Sequence, residues 1–188
     1  MMAPGEFSDL PIGHLILIRD GKLNDLNEEE NMSRRRRVVK RTSEPDPIYR
    51  SHLLAKFINK IMMGGKKSTA QRITYSALEK FAKRIKTETP LEAFEKALDN
   101  AQPAVEVKSR RIGGATYQVP VEIPSNRRIS MAMRWIITFA RAKPGRAMDE
   151  ALASELVDCY NHQGATIKKK EDTHKMAEAN KAFAHFKW

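Results

Sequence analysis

Lysine and arginine cluster at residues 34–41, 66–67, 108–111, 127–128, 141–146 and 168–170. Side chains of this type at this density bind phosphate. Arginine's planar fork holds two phosphate oxygens and stacks on bases, and each phosphate neutralised releases counterions. Any one cluster alone is an ordinary solvated surface. Their recurrence at the ends of elements and in the arms points to a distributed phosphate-binding surface, and so to a nucleic-acid partner.

Other chemistries fit less well. MGGKKST, residues 63–69, invites comparison with a phosphate-binding loop, but that pattern needs Gly, four residues, then Gly-Lys-Ser/Thr after a strand. Here Lys60 holds the first position, two lysines separate Gly65 from Ser68, and a helix precedes the segment. A helix–helix turn is expected, with Lys66 and Lys67 available to phosphate beside a helix N-terminus. His174, Glu178 and His185 share a helical stripe. A metal needs a further converging ligand, and Lys181 opposes a cation. A solvated or RNA-facing stripe is the better reading, and neither metal nor cofactor is expected. No serine or histidine has the elbow or triad context of a nucleophile. Cys159 shares a helical face with Met148, Leu152 and Leu156, as a small buried hydrophobe would.

The elements that must carry these clusters are mostly helical. Asp46-Pro47 starts a first helix, with Leu53, Leu54, Phe57, Ile58, Ile61 and Met62 as its apolar face and Gly64-Gly65 as its stop. A second begins at Ser68, with Gln71 completing a capping box, and buries Leu78, Phe81, Ala82 and Ile85. A third opens at Thr89-Pro90, with Glu92 placed for reciprocal capping, and runs toward Pro103. Ser125 caps a fourth, which buries Ile129, Met133, Ile136, Ile137 and Ala140 and breaks at Lys143-Pro144-Gly145. A fifth spans about Ala147 to Gln163 and ends at Gly164; a last one runs from about Lys168 to Phe186.

Between the third and fourth helices the period changes to two. Val105 and Val107 alternate with Glu106 and Lys108, then Tyr117, Val119, Val121 and Ile123 repeat the pattern beyond Gly113-Gly114. This predicts a β-hairpin at 104–123 with no sheet to join, and a lone ribbon is marginal in water. The predicted fold is therefore mainly α: six helices, a protruding two-stranded arm and a basic N-terminal arm.

The chain has 188 residues, 41% hydrophobic and 30% charged, enough for one modest core. Residues 1–31 hold seven acids against Arg19 and Lys22, a net of −5 beside the chain's +11, which leaves +16 for residues 32–188. Residues 1–31 read as an acidic extension without fixed structure or as an upstream start, since Met32 opens MSRRRRVVKR as a natural N-terminus would. Residues 32–45 form the basic arm and 46–188 the helical domain. One cysteine precludes an intrachain disulfide. No apolar run nears the length of a helix that spans a bilayer, roughly 20 residues. No membrane and no small-molecule substrate are expected.

The phrases DPIYRSHLLAKFINKIMMGGKKSTAQRITYSALE, FEKALDNAQPAVEVKSRRIGGATYQVPVEI, RRISMAMRW and KKKEDTHKMAEANKAFAHFKW closely resemble the bacterial form of the family of ribosomal protein seven of the small subunit. The resemblance covers about 32–188. It implies a helical protein with an extended ribbon. Such a protein binds the 3′ major domain of small-subunit ribosomal RNA, nucleates the subunit head, and lies near exit-site transfer RNA and the messenger exit path in the cytoplasmic ribosome, beside other small-subunit proteins. By position it implies ribosomal RNA contacts at Arg34, Arg35, Arg36, Arg37, Lys40 and Arg41 in the arm, at Lys66 and Lys67, at Lys108, Arg110 and Arg111 in the ribbon, and at Arg127, Arg128, Arg134, Arg141, Lys143 and Arg146. It places transfer RNA near Ile112, Gly113, Gly114, Ala115 and Thr116 of the tip and near His185, Lys187 and Trp188 at the end. Tyr117 and Trp188 could stack on unpaired bases, or Tyr117 could brace the ribbon. A β-arm architectural DNA-binding protein is the alternative, though Ile112-Gly113-Gly114-Ala115 makes a poor wedge. An RNA-modifying enzyme ranks last, for want of a cofactor loop or an acid–base pair.

Overall fold

A computed structural model describes residues 43–86 and 89–186. In order they form α1 (His52–Ile61), α2 (Lys67–Ile85), α3 (Pro90–Ala101), β1 (Val105–Ile112), β2 (Ala115–Glu122), α4 (Ser125–Ala142), α5 (Met148–Tyr160), α6 (Gly164–Ala179) and a 3₁₀ helix (Lys181–Phe186). The mainly α architecture with a two-stranded arm is as the sequence predicts. Residues 1–31 and the basic arm up to Thr42 lie outside the described residues.

The apolar stripes form the core. Leu54, Phe57 and Ile58 of α1 meet Leu78 and Phe81 of α2, Phe94 and Leu98 of α3, and Met133 and Ile136 of α4, all at most 1% exposed. Phe57 and Phe94 stack tilted, with centroids 5.0 Å apart. α5 lies among α2, α3, α4 and α6. A helix touched on so many sides buries most of its central residues, and Ala151, Leu152, Ala153, Glu155, Leu156 and Cys159 are all buried. Burial pushes the Cys159 thiol up to about 12, with Glu155 adding to the effect, as befits a packed hydrophobe rather than a nucleophile.

Several helix ends differ from the sequence reading, and each has a physical reason. Asp46 does not cap α1. Its buried carboxylate accepts the N–H groups of Ile48 and Tyr49 at 3.2 Å and the Tyr75 hydroxyl at 2.7 Å, closing a separate turn onto α2. Arg50, at φ +50°, breaks the run, and α1 starts under Ser51, whose hydroxyl accepts the Leu54 N–H. Ser68 is already inside the first turn of α2, so its capping box does not form. The Thr89 hydroxyl donates to Glu92 at 2.7 Å instead of accepting a backbone N–H. Pro124, not Ser125, holds the N-cap of α4.

α5 stops at Tyr160, and Gly164 opens α6 rather than ending α5. Gly164 has φ +90°, and a Cβ there would meet the Asp158 side chain at 2.8 Å. Only glycine fits both conditions. The final helix divides in two, because α6 ends at Ala179 and the chain continues as a 3₁₀ helix.

The ribbon is not unsupported. β1 and β2 pair antiparallel from Val105↔Glu122 to Ile112↔Ala115, and Gly113 and Gly114 supply the positive φ of the turn. Its root packs on α6 and the 3₁₀ helix. Tyr117 meets Phe183 and Phe186 at centroid distances of 5.3 and 5.5 Å, so Tyr117 braces the ribbon.

Candidate nucleic-acid interface

The ribbon's register sorts its cations by face. Residues directly opposite one another share a face, so Glu106, Lys108 and Arg110 stand with Val121, Val119 and Tyr117, while Arg111 stands with Thr116 on the other side. Glu106 is buried and organises the ribbon root. Its carboxylate takes a forked set of bonds from Arg127, the Nε at 3.1 and 3.2 Å and an Nη at 3.0 Å, and meets Lys108 at 3.3 Å. Charge-assisted bonds of this forked kind are among the stronger ones in proteins. Burial alone would raise the Glu106 carboxyl, but the bonds from Arg127 and Lys108 outweigh it and hold the pKa below the ordinary carboxylate value. Arg128 donates to the Ile123 carbonyl at 2.8 Å and so ties α4 to the end of the ribbon.

Along α4, Arg127, Arg134 and Arg141 recur every seven residues. Seven residues make nearly two turns, so the three guanidinium groups line one face, about 10 Å of helix rise between successive members. Arg134 and Arg141 are exposed. Together with Lys60 of α1 they line a shallow groove that, among the described residues, no carboxylate borders. Arg141 is anchored by donating to the Ile61 carbonyl at 3.0 Å. Lys66 and Lys67 stand exposed at the α1–α2 turn, where the opening N–H groups of α2 favour anions.

Lys143 is placed differently from its neighbours in the sequence. Its ammonium meets Glu155 at 2.8 Å, Asp158 at 3.2 Å and the Ser154 hydroxyl at 3.2 Å. Glu155 is fully buried, and its other oxygen accepts the Thr166 N–H and hydroxyl at 3.2 and 2.6 Å, serving α6 as the N-cap that Gln163 does not supply. Burial would lower the Lys143 pKa, but the carboxylates outweigh it and raise it. Lys143 thus joins α4 to α5 and α6, and its charge is already neutralised. Arg146 is exposed in the loop before α5.

At the ribbon tip Gly113, Gly114, Ala115 and Thr116 are exposed and Ile112 is half-buried. The His185 ring lies 3.9 Å from that of Phe186, with Nδ1 2.9 Å from the Ala182 carbonyl. His174 accepts the Ala104 N–H on Nε2 at 3.0 Å, which fastens α6 to the start of the ribbon. Among the described residues no three His, Cys, Asp or Glu side chains converge as a metal site would need, and no helix is long and apolar enough to cross a membrane. Arg34, Arg35, Arg36, Arg37, Lys40, Arg41, Lys187 and Trp188 lie outside the described residues.

A helical body bearing this arginine stripe beside a basic ribbon matches, over residues 33–181, the family of ribosomal protein S7p/S5e. The chain belongs to that family. It is 72% identical to the small ribosomal subunit protein uS7 of Protochlamydia amoebophila over 157 residues, which are 84% of this chain and 100% of that relative. Over the same coverage it is 66% identical to the uS7 protein of Chlamydia felis and 62% to that of Chlamydia trachomatis serovar D. The family resemblance in the sequence is therefore correct.

For this S7p/S5e chain, sequence reading missed Lys60 and Glu106. Lys60 belongs to none of the basic clusters in the sequence and joins the arginines only because α1 packs on α4. Glu106 reads as the outward half of an alternating strand, yet it is 7% exposed. The α4 stripe had a signal, the seven-residue spacing.

Proposed function

We propose that this chain is a structural constituent of the small ribosomal subunit and not a catalyst. It binds the 3′ major domain of the small-subunit ribosomal RNA, helps nucleate the subunit head in the cytoplasm, and lies near exit-site transfer RNA and the messenger exit path, beside other small-subunit proteins. The observation that carries this reading is the line of Arg134, Arg141 and Lys60, which no carboxylate borders among the described residues, on a member of the S7p/S5e family. A rigid stripe of this kind positions itself on folded RNA through phosphate contacts, and sequence enters only where unpaired bases are reached. The basic arm at 32–45 adds phosphate contacts through its arginines and lysines. The ribbon divides its work: Lys108, Arg110 and Arg111 hold ribosomal RNA, and the tip, Ile112 to Thr116, approaches transfer RNA.

The test is filter binding of the full chain to the transcribed 3′ major domain across a salt series. The log–log slope should be steep, about −0.7 to −0.9 for every phosphate contacted. A salt-insensitive affinity, or equal affinity for duplex DNA, would sink the proposal and revive the DNA-binding alternative.

A further inference from the structure

Next to the arginine stripe lies a cavity that phosphate contacts leave unused. The α1–α2 turn and the start of α5 enclose a pocket of about 350 Å³, walled by Ile61, Ala70, Ile73 and Met148. That is at the small end of ligand-pocket volumes, about 300–1,000 Å³. Met63 also lines it and stands 68% exposed. Among the described residues, the charged ones lining this pocket are Lys66 and Arg141, and no acid is among them. Arg141 also lines the adjoining groove of Lys60 and Arg134, held between the two by the Ile61 carbonyl.

An apolar slot opening beside a cationic groove suits a ligand with a flat apolar body and an anionic handle. A nucleotide has that form. Bases inside a duplex are stacked and cannot enter, so the occupant must be unpaired. Methionine suits such a guest, because its polarizable sulfur packs favourably on aromatic rings. We propose that this pocket takes one turned-out base of the bound RNA, with the flanking phosphates on Lys66 and along Lys60, Arg134 and Arg141. The inference rests on the RNA-binding reading above and adds to it a subsite that reads a base. A protein side chain could fill the slot, but it would leave the adjoining cationic groove without a counterpart.

The test uses the full chain and the 3′-major-domain RNA carrying photoreactive 4-thiouridine. Thr69 is exposed at the pocket lining, so Thr69→Tyr plugs the slot without changing charge, and Met63→Ser removes an exposed wall at little risk to folding. Both should weaken binding about tenfold at every salt concentration, the scale of one base contact, with the salt slope unchanged. Lys66→Gln should instead flatten the slope by about one contact. Irradiation should link the wild-type RNA to a peptide containing Met63 or Met148, and Thr69→Tyr should abolish that link. If the wild-type chain binds the RNA while both neutral variants keep its affinity and the cross-link falls elsewhere, the base pocket is wrong and the RNA reading stands. If Thr69→Tyr keeps RNA affinity but blocks a neighbouring ribosomal protein, the occupant is protein and the inference falls. If the wild-type chain does not bind the RNA, both readings fall together.

Discussion

Arg141 and Lys143 stand two residues apart at the end of α4, and their charges meet opposite fates. The Arg141 guanidinium donates to a backbone carbonyl and stays exposed beside a groove that no carboxylate borders among the described residues. The Lys143 ammonium, on a side chain 26% exposed, is enclosed by Glu155 and Asp158. In the sequence both belong to one basic cluster. The difference teaches that one basic cluster in a sequence is not equally available to an anion throughout, because the fold supplies some of its members with a counter-charge. The same division separates Arg134 from Lys80, which meets Asp149 at 2.6 Å.

The largest effect should come from breaking the enclosed member of the pair. Lys143→Met leaves the Glu155 carboxylate fully buried without its cation, a situation that costs about 3–5 kcal/mol. Thermal unfolding should fall accordingly, while the folded variant keeps the wild-type salt slope for RNA. Adding Glu155→Gln should recover much of the loss, because an amide oxygen can still accept from Thr166. A Lys143→Met protein with unchanged stability and a flatter slope would erase the contrast with Arg141.

The exposed member should behave in reverse. Arg134→Gln should flatten the salt slope by about 0.7–0.9 and leave unfolding within about 0.5 kcal/mol of wild type. Arg141→Gln should flatten it similarly, with a slightly larger stability loss for the Ile61 bond. If either substitution unfolds the protein without touching the slope, the α4 stripe is scaffold and not interface.

Glu106 lies between these extremes, since it holds Arg127 and Lys108 at positions that also face solvent. Glu106→Gln should cost about 1–2 kcal/mol by weakening charge-assisted bonds at the ribbon root, and should release both cations toward RNA. The expected reading is a lower unfolding midpoint with a salt slope no flatter than wild type. A flatter slope would mean that Glu106 positions Arg127 for phosphate rather than competing for it.

The sequence showed what is periodic and hid what is contingent on packing. The apolar stripes of α1 to α5 and the period-two ribbon were legible because each repeats within a single element. Several helix caps were not, because Asp46 is claimed by Tyr75, 29 residues away, and the α6 N-terminus is capped by Glu155 from α5. The ribbon's support was hidden for the same reason: nothing local relates Tyr117 to Phe183. The arginines of α4 were legible as charges and, through their spacing, as a line. Which cations that line excludes could be read only once Glu155 and Asp158 had been brought beside Lys143.

The smallest predicted effect concerns pH, and it extends the comparison to the ribbon's second fastening. His174 can accept the Ala104 N–H only while Nε2 is unprotonated. Burial first, and Lys170 second, hold its pKa below the ordinary 6.5. As pH falls past 6.5 the unfolded chain takes up this proton before the folded one does. The stability tied to His174 is therefore complete above that value and is lost as pH drops through the folded one. Glu106 has the same sign in a lower window, beginning below its ordinary 4.5. Lys143 has the opposite sign, since its raised pKa removes stability only as pH climbs beyond 10.5, and it is silent through the acid range. Unfolding midpoints taken from neutral pH downward should therefore decline in two steps. His174→Gln should remove the upper one, worth about 1 kcal/mol as a single hydrogen bond is. Faster exchange of the Ala104 amide in the same window would locate the loosening at the ribbon root. A midpoint that stays flat until the carboxylate range would show that the ribbon is fastened by Glu106 and the Tyr117–Phe183 contact alone.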